Sequence, residues 1–146
     1  MSWSNFSAAI KINNPVAIDI LPFNGDGRFP ATSFSGQTEL GAITTSSTAI
    51  QFYVTKDVTS GLSSDPQIAQ NNLISGSAKW CPMTPTRTVN PSAIPSSGGS
   101  SSQCPANASQ VTALRLIDTD TLIAGDDRSF TFALATNGNL GDDIYT

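Results

Sequence analysis

Apolar residues fall at every second position in three stretches of this chain. Val16, Ile18 and Ile20 alternate with Ala17 and Asp19; Ile50, Phe52 and Val54 alternate with Gln51, Tyr53 and Thr55; Phe130, Phe132 and Leu134 alternate with Thr131 and Ala133. A period of two is the spacing of a strand with one buried face, so each stretch predicts a strand whose apolar set points to the core. Ser7–Asn13, Glu39–Ile43 and Val111–Ile117 read as further strands, and Asp143–Thr146 as the start of a last one. Between them stand Asn13-Asn14-Pro15, Asn24-Gly25-Asp26-Gly27, Ala124-Gly125-Asp126-Asp127 and Asn137-Gly138-Asn139. Asn, Asp and Gly tolerate positive φ and Pro presets a turn angle, which is the chemistry needed between antiparallel neighbours. Helix signals are confined to Asp65–Asn72, where Asp65 is placed to cap and Pro66 to start a short helix.

Roughly six to eight short strands joined by Gly/Pro-rich turns predict an all-β fold, an immunoglobulin-like antiparallel β-sandwich. The chain of 146 residues is the size of one domain, residues 1–146. Residues 1–13 read as an edge or exchanged strand, and 82–103 as a Pro/Ser/Gly-rich loop.

Composition narrows the function classes. Charged residues are 12% of the chain, with seven basic side chains against eleven acidic, and neither sign forms a long run. Phosphate recognition needs a basic patch, so nucleic acid is not an expected partner. No apolar run approaches the roughly 20 residues of a membrane helix, so membrane insertion is not expected either. Ser and Thr supply about a quarter of the residues, a bias of extracellular β-rich chains.

The two cysteines, Cys81 and Cys104, bracket the least foldable stretch, which includes Pro95-Ser96-Ser97-Gly98-Gly99-Ser100-Ser101-Ser102. Such a segment has too little apolar surface to offset its ordering entropy, and a covalent staple at its base supplies the missing constraint. Each cysteine is followed by proline, and the spacing fits no zinc pattern. A Cys81–Cys104 disulfide is therefore expected, worth on the order of 3 kcal/mol, and it places the protein outside the reducing cytosol, secreted or at the cell surface. Met1–Phe6 lacks the basic start and apolar run of a secretory signal, so secretion implies a signal already removed or another route.

A set of phrases carries a resemblance. Asn14-Pro15 leads into Asp19-Ile20-Leu21-Pro22-Phe23-Asn24-Gly25-Asp26-Gly27, followed by Ser64-Asp65-Pro66, Trp80-Cys81 and Val111-Thr112-Ala113-Leu114-Arg115. Leu122-Ile123-Ala124-Gly125, Phe130-Thr131-Phe132 and a closing Gly138-Asn139 to Asp143-Ile144-Tyr145-Thr146 complete the order. Residues 14–146 resemble the β-sandwich repeat modules of large bacterial cell-surface proteins of the actinobacterial type, domains of unknown function with an Asp-x-Leu-Pro motif. The resemblance implies an extracellular structural or adhesive module, commonly in tandem, with no catalytic residues to carry over. Such modules open with a longer first strand and continue past Tyr-Thr, so both edges here read as clipped, leaving backbone groups for a neighbour. Surface modules of Gram-positive bacteria can crosslink a Lys on an early strand to an Asn on a late strand; Lys11 with Asn137 or Asn139 would be the pair, but alternation with Ile10 and Ile12 turns Lys11 to solvent.

Catalytic chemistry is poorly supplied. The chain has no histidine, which removes the commonest general base, the commonest zinc ligand and every Ser-His-Asp arrangement. Serines abound without a Gly-x-Ser-x-Gly elbow or Ser-x-x-Lys pattern to activate one. Glu39 is the lone glutamate. Asn24-Gly25-Asp26-Gly27 has too few acidic positions for a calcium loop and reads as a turn, while Asp118, Asp120, Asp126 and Asp127 flank a turn and are expected to face water. Asn5-Phe6-Ser7 and Asn107-Ala108-Ser109 match the short glycan-acceptor pattern.

The expectation is a non-catalytic structural or adhesive module of an extracellular bacterial protein, without cofactor or metal. The alternative is a self-assembling subunit of a filament, pilus or particle held by strand or loop exchange; a second is a small carbohydrate- or calcium-binding module. Partners are neighbouring copies or tandem modules of the same protein, or a host or glycan surface.

Overall fold

The computed structural model describes residues 2–7, 10–22, 24, 29–30, 32–33, 35–56, 80–84, 104–138 and 140–144 of the chain, with backbone alone at Trp3 and Gln37. Within them the alternating stretches form strands β1 (Ser2–Ser4), β2 (Ile12–Asn13), β3 (Val16–Ile20), β4 (Gln37–Thr45), β5 (Ile50–Thr55), β6 (Cys81–Met83), β7 (Ala113–Asp118), β8 (Thr121–Leu122) and β9 (Asp127–Asn137). A single turn of 3₁₀ helix, Ala108–Gln110, precedes β7. The fold is all-β and antiparallel throughout: one sheet runs β1-β9-β4, a second β3-β7-β5-β6, and β2 pairs with β8. The helix expected at Asp65–Asn72 lies outside the described residues.

Side chains from both larger sheets meet in one core. Leu40 and Ile43 of β4 and Phe130 of β9 share it with Ala17 of β3, Ile50, Phe52 and Val54 of β5, Cys81 and Met83 of β6, and Leu114 and Leu116 of β7. Phe132 and Leu134 pack against it from β9. Fully burying one such side chain stabilises by about 1.5–3 kcal/mol, so this shared cluster outweighs any surface contact in the molecule.

The expected inward faces of β5 and β9 are observed. The face of β3 is not: Ala17 and Leu21 join the core, while Ile18 is buried outside that cluster and Val16 and Ile20 are half-buried. Register with β7 decides this, because Ala17 stands opposite Leu116 and Asp19 opposite Leu114, and opposed residues share a face. Burial on both faces of β3 hides the choice from periodicity, since Ile18 is as enclosed as Ala17.

Three boundaries also differ from expectation. Pro82 and Met83 continue β6, so the polar excursion expected from residue 82 starts later; Met83 opposes Phe52 and is buried, and Pro82 is tolerated on an edge strand. Among the described residues of Ser7–Asn13 the strand is Ile12–Asn13, and the Asn5 amide bonds the Ile10 carbonyl at 2.7 Å ahead of it. Near the C-terminus Ile144 forms an isolated bridge to Ser33, and Tyr145 and Thr146 lie outside the described residues.

β4 carries a feature no alternation announces. Leu40 opposes Leu134 and Ile43 opposes Phe132, so Gly41 and Ala42 together face one residue, Ala133. This β-bulge lets Leu40 and Ile43, three positions apart, both point inward. Gly41 is required by proximity: a Cβ there would lie 2.8 Å from the Ala133 Cβ and 2.9 Å from the Ala133 carbonyl oxygen. Gly41→Val is expected to destabilise the chain by about 2 kcal/mol through this clash, read as a lowered urea midpoint with an unchanged slope.

Candidate functional site

Cys81 and Cys104 are joined as expected, with Cα atoms 5.7 Å apart. Both are buried in the shared core, Cys81 on edge strand β6 and Cys104 ahead of the 3₁₀ turn. The bond closes a sequence separation of 23 and ties the start of β6 to the approach into β7. Reduction, or the double variant Cys81→Ala, Cys104→Ala, is expected to lower stability by about 3 kcal/mol, seen as a shifted melting temperature with and without reductant.

The acidic side chains around the β7–β9 corner do not all face water. Asp118 is fully buried, whereas Asp120 and Asp127 are exposed and Asp126 is half-buried. Parity explains the difference, since Asp118 continues the inward series Leu114, Leu116 on β7. Its Oδ1 accepts the Asp120 N–H at 2.9 Å, and its Oδ2 lies 3.3 Å from Nε of Arg128 on β9. Neither of the latter two atoms has an aligned hydrogen bond, so the pair meets as opposed charges. Arg128 also donates to the Asp127 carbonyl at 3.1 Å and approaches Asp126 at 3.9 Å.

Three further carboxylates tie segments of the chain together. Asp126 Oδ2 accepts the Ile123 N–H at 3.0 Å across a turn in which Gly125 takes a φ of +84°, a conformation an L side chain resists. Asp127 accepts the Ser4 hydroxyl at 2.7 Å. Asp143 accepts the Ser35 N–H and the Leu140 N–H, at 2.9 and 2.7 Å, and holds the C-terminal turn to the segment before β4. Among the described residues no group of three or more His, Cys, Asp or Glu side chains could hold a metal ion. In the Asn24–Gly27 turn only Asn24 falls within the described residues.

Asn5 begins a glycan-acceptor pattern, but the structure makes it an anchor. It is buried, its amide nitrogen donates to the carbonyls of Ile10 and Leu122 at 2.7 and 2.9 Å, and its Oδ1 accepts the Ser7 N–H at 3.1 Å. Its backbone bonds Gly125 and Asp126 at 2.8 and 3.1 Å. Both amide hydrogens are spent, so a glycan has no access to that nitrogen. Asn107 is exposed and accepts the Ser109 hydroxyl at 2.8 Å. Lys11 is exposed, as its alternation predicts.

No family model, curated protein or solved structure matches the chain. The reading of the site therefore rests on its own geometry.

Two depressions of about 410 Å³ mark the described surface. One lies at the β4–β5 turn, lined by Thr44, Thr45, Ser46, Ser47 and Thr48 over Ile43, Ile50 and Phe52. Three of its hydroxyls are engaged: Thr45 donates to the Ser47 carbonyl, Ser47 accepts from the Ala49 N–H, and Ser46 accepts from the Ser129 N–H. The other is lined by Asp19, Phe130, Thr131 and Phe132, between β3 and β9. On the second sheet Arg115 sits opposite Tyr53 with its buried Nε unpartnered; burial pulls the guanidinium below its ordinary value and Tyr53 acts against that pull.

The Asp118–Arg128 pair spans the two larger sheets at this corner. Asp118→Ala and Arg128→Ala are each expected to cost about 2–4 kcal/mol, because each leaves the other charge uncompensated. The double variant should cost less than their sum by about 1–3 kcal/mol in a urea-unfolding cycle, while additivity would show the pair to be uncoupled.

Proposed function

We propose that this chain is a non-catalytic structural module of an extracellular bacterial surface protein, built as an immunoglobulin-like β-sandwich. The observation that carries the reading is the use made of its polar groups. Asp118, Asp126, Asp127, Asp143 and Asn5 each bind the chain's own backbone, hydroxyls or arginine. A buried disulfide adds a constraint that persists where thiols are oxidised. The ordered phrases from Asn14-Pro15 to Asp143-Ile144 support a place among the repeat modules of large surface proteins. An adhesive role toward a host or glycan surface belongs to the same reading, with the contact supplied by exposed side chains.

A second reading, assembly of copies into a filament or particle, is favoured by exposed apolar residues near the N-terminus: Phe6, Ile10 and Ile12. A calcium module is disfavoured by the commitment of Asp126, Asp127 and Asp143 to the chain's own N–H and hydroxyl groups.

Fractionation of source cells with an antibody against the chain tests the leading reading. The protein is expected in the wall or extracellular fraction with no titratable thiol, and calorimetric titration with calcium is expected to be flat. A cytosolic pool carrying reduced Cys81 and Cys104 would overturn it.

A further inference from the structure

Two triplets of this chain match the glycan-acceptor pattern, and the structure treats them in opposite ways. At Asn5 the side chain is buried and its nitrogen spends both hydrogens on the carbonyls of Ile10 and Leu122. At Asn107 the side chain is exposed, and among the described residues its nitrogen has no acceptor. Its Oδ1 instead accepts the Ser109 hydroxyl at 2.8 Å.

That bond joins the two side chains the pattern specifies, the asparagine and the hydroxyl residue two places on. A hydroxyl that donates to the carboxamide oxygen holds the group in one orientation and leaves Nδ2 on the side away from Ser109. It also draws electron density toward Oδ1, which makes the amide protons easier to remove. The middle residue is Ala108, whereas Asn90-Pro91-Ser92 has the proline that takes a triplet out of the pattern.

The local backbone leaves the Asn107 side chain without other duties. Asn107 is extended, with φ −151° and ψ 171°, and its side chain does not cap the 3₁₀ turn that follows. Other groups close that turn: the Gln110 N–H donates to the Asn107 carbonyl at 3.2 Å, the Val111 N–H to the Ala108 carbonyl at 3.4 Å, and the Gln110 side chain accepts the Ala106 N–H at 2.8 Å. Ala106 and Gln110 are exposed as well, so the nitrogen stands on a stretch open to solvent. The disulfide ends close by, at Cys104. A chain that leaves the cytosol meets both the oxidants that join thiols and the transferases that glycosylate asparagine.

We propose that Asn107 is a modification site carrying an N-linked glycan, with Ser109 as its positioning residue. The donor is an oligosaccharide on a polyprenyl diphosphate, presented by a membrane-bound oligosaccharyltransferase. Nδ2 of Asn107 attacks the anomeric carbon, and the C–N bond forms as the C–O bond to the diphosphate breaks. The polyprenyl diphosphate leaves with the bonding pair, one amide proton passes to a base of the transferase, and Nδ2 keeps the other. The sugar then stands beside Cys104, at the base of the disulfide-closed segment, as a bulky hydrated group on a chain with few charges. The proposal rests on the extracellular reading and adds to it a covalent glycan at one of two sequence matches.

Mass spectrometry of the chain purified from the wall or extracellular fraction of source cells tests it, with three variants expressed in the same cells. The reduced tryptic peptide Thr88–Arg115 is expected to carry added sugar mass, placed on Asn107 by electron-transfer fragmentation, while the peptide that holds Asn5 keeps its sequence mass. Asn107→Gln and Ser109→Ala should each abolish the added mass with an unchanged circular dichroism spectrum. Ser109→Thr keeps the hydroxyl and should retain it. A bare Asn107 in extracellular chain whose Cys81 and Cys104 are joined, sugar that survives Ser109→Ala, or sugar on Asn5 would overturn the site and leave the module reading standing. A chain found only in the cytosol with reduced thiols would overturn both.

Discussion

Apolar packing holds the two larger sheets together but does not fix their offset, because hydrophobic attraction has no direction. Leu40, Phe130, Phe52 and Leu116 could remain buried through a small slide of one sheet over the other. The Asp118–Arg128 pair supplies the missing direction. It joins the end of β7 to the base of β9, and a buried carboxylate cannot drift from its cation without being left in an apolar surrounding. Around this point the chain gathers its other restraints: Asp118 N–H donates to Pro15, Thr119 to Ala49, and Asn5 locks the β8–β9 turn. The pair thus sits at a junction of β7, β9 and the N-terminal segment.

Much of the fold was legible because periodicity is a direct image of burial when one face is solvated. Ile50, Phe52 and Val54, and Phe130 with Phe132 and Leu134, are placed as their alternation requires. The disulfide was legible from the contrast between its cysteines and the polar stretch they enclose. What periodicity missed follows from three physical causes. β3 is enclosed on both faces, so Ile18 and Ala17 cannot be ranked by pattern. β4 changes parity at Gly41-Ala42, and the only local trace is a glycine whose reason lies on another strand, at Ala133. Asn5 finds its partner at Leu122, 117 residues away, a separation that local reading does not span. Asp118 is the instructive miss, since its place in the series Leu114, Leu116, Asp118 already pointed inward, and only the habit of sending charge to solvent argued otherwise.

A chain with so few charges cannot spread them for solubility alone. Among the described residues Asp126, Asp143 and Asp118 stand where backbone N–H groups need acceptors: the β8–β9 turn, the C-terminal turn and the end of β7. Short side chains that accept two hydrogen bonds replace the helix caps and long strands that other folds use for the same end. Acidic residues clustered near turns in sequence therefore signal loop closure in this molecule as readily as they signal cation binding elsewhere.

The disulfide divides the chain into a frame and an insert. Cys81 and Cys104 hold fixed positions in the core whatever lies between them, and the closure entropy of a loop grows only slowly with its length. Met83 belongs to the frame, since it opposes Phe52 and packs in the same core; beyond it the spacing in sequence between the cysteines can change at little entropic cost while β6 and β7 keep their places. In evolutionary terms the staple creates a cassette whose length can vary without moving its two ends.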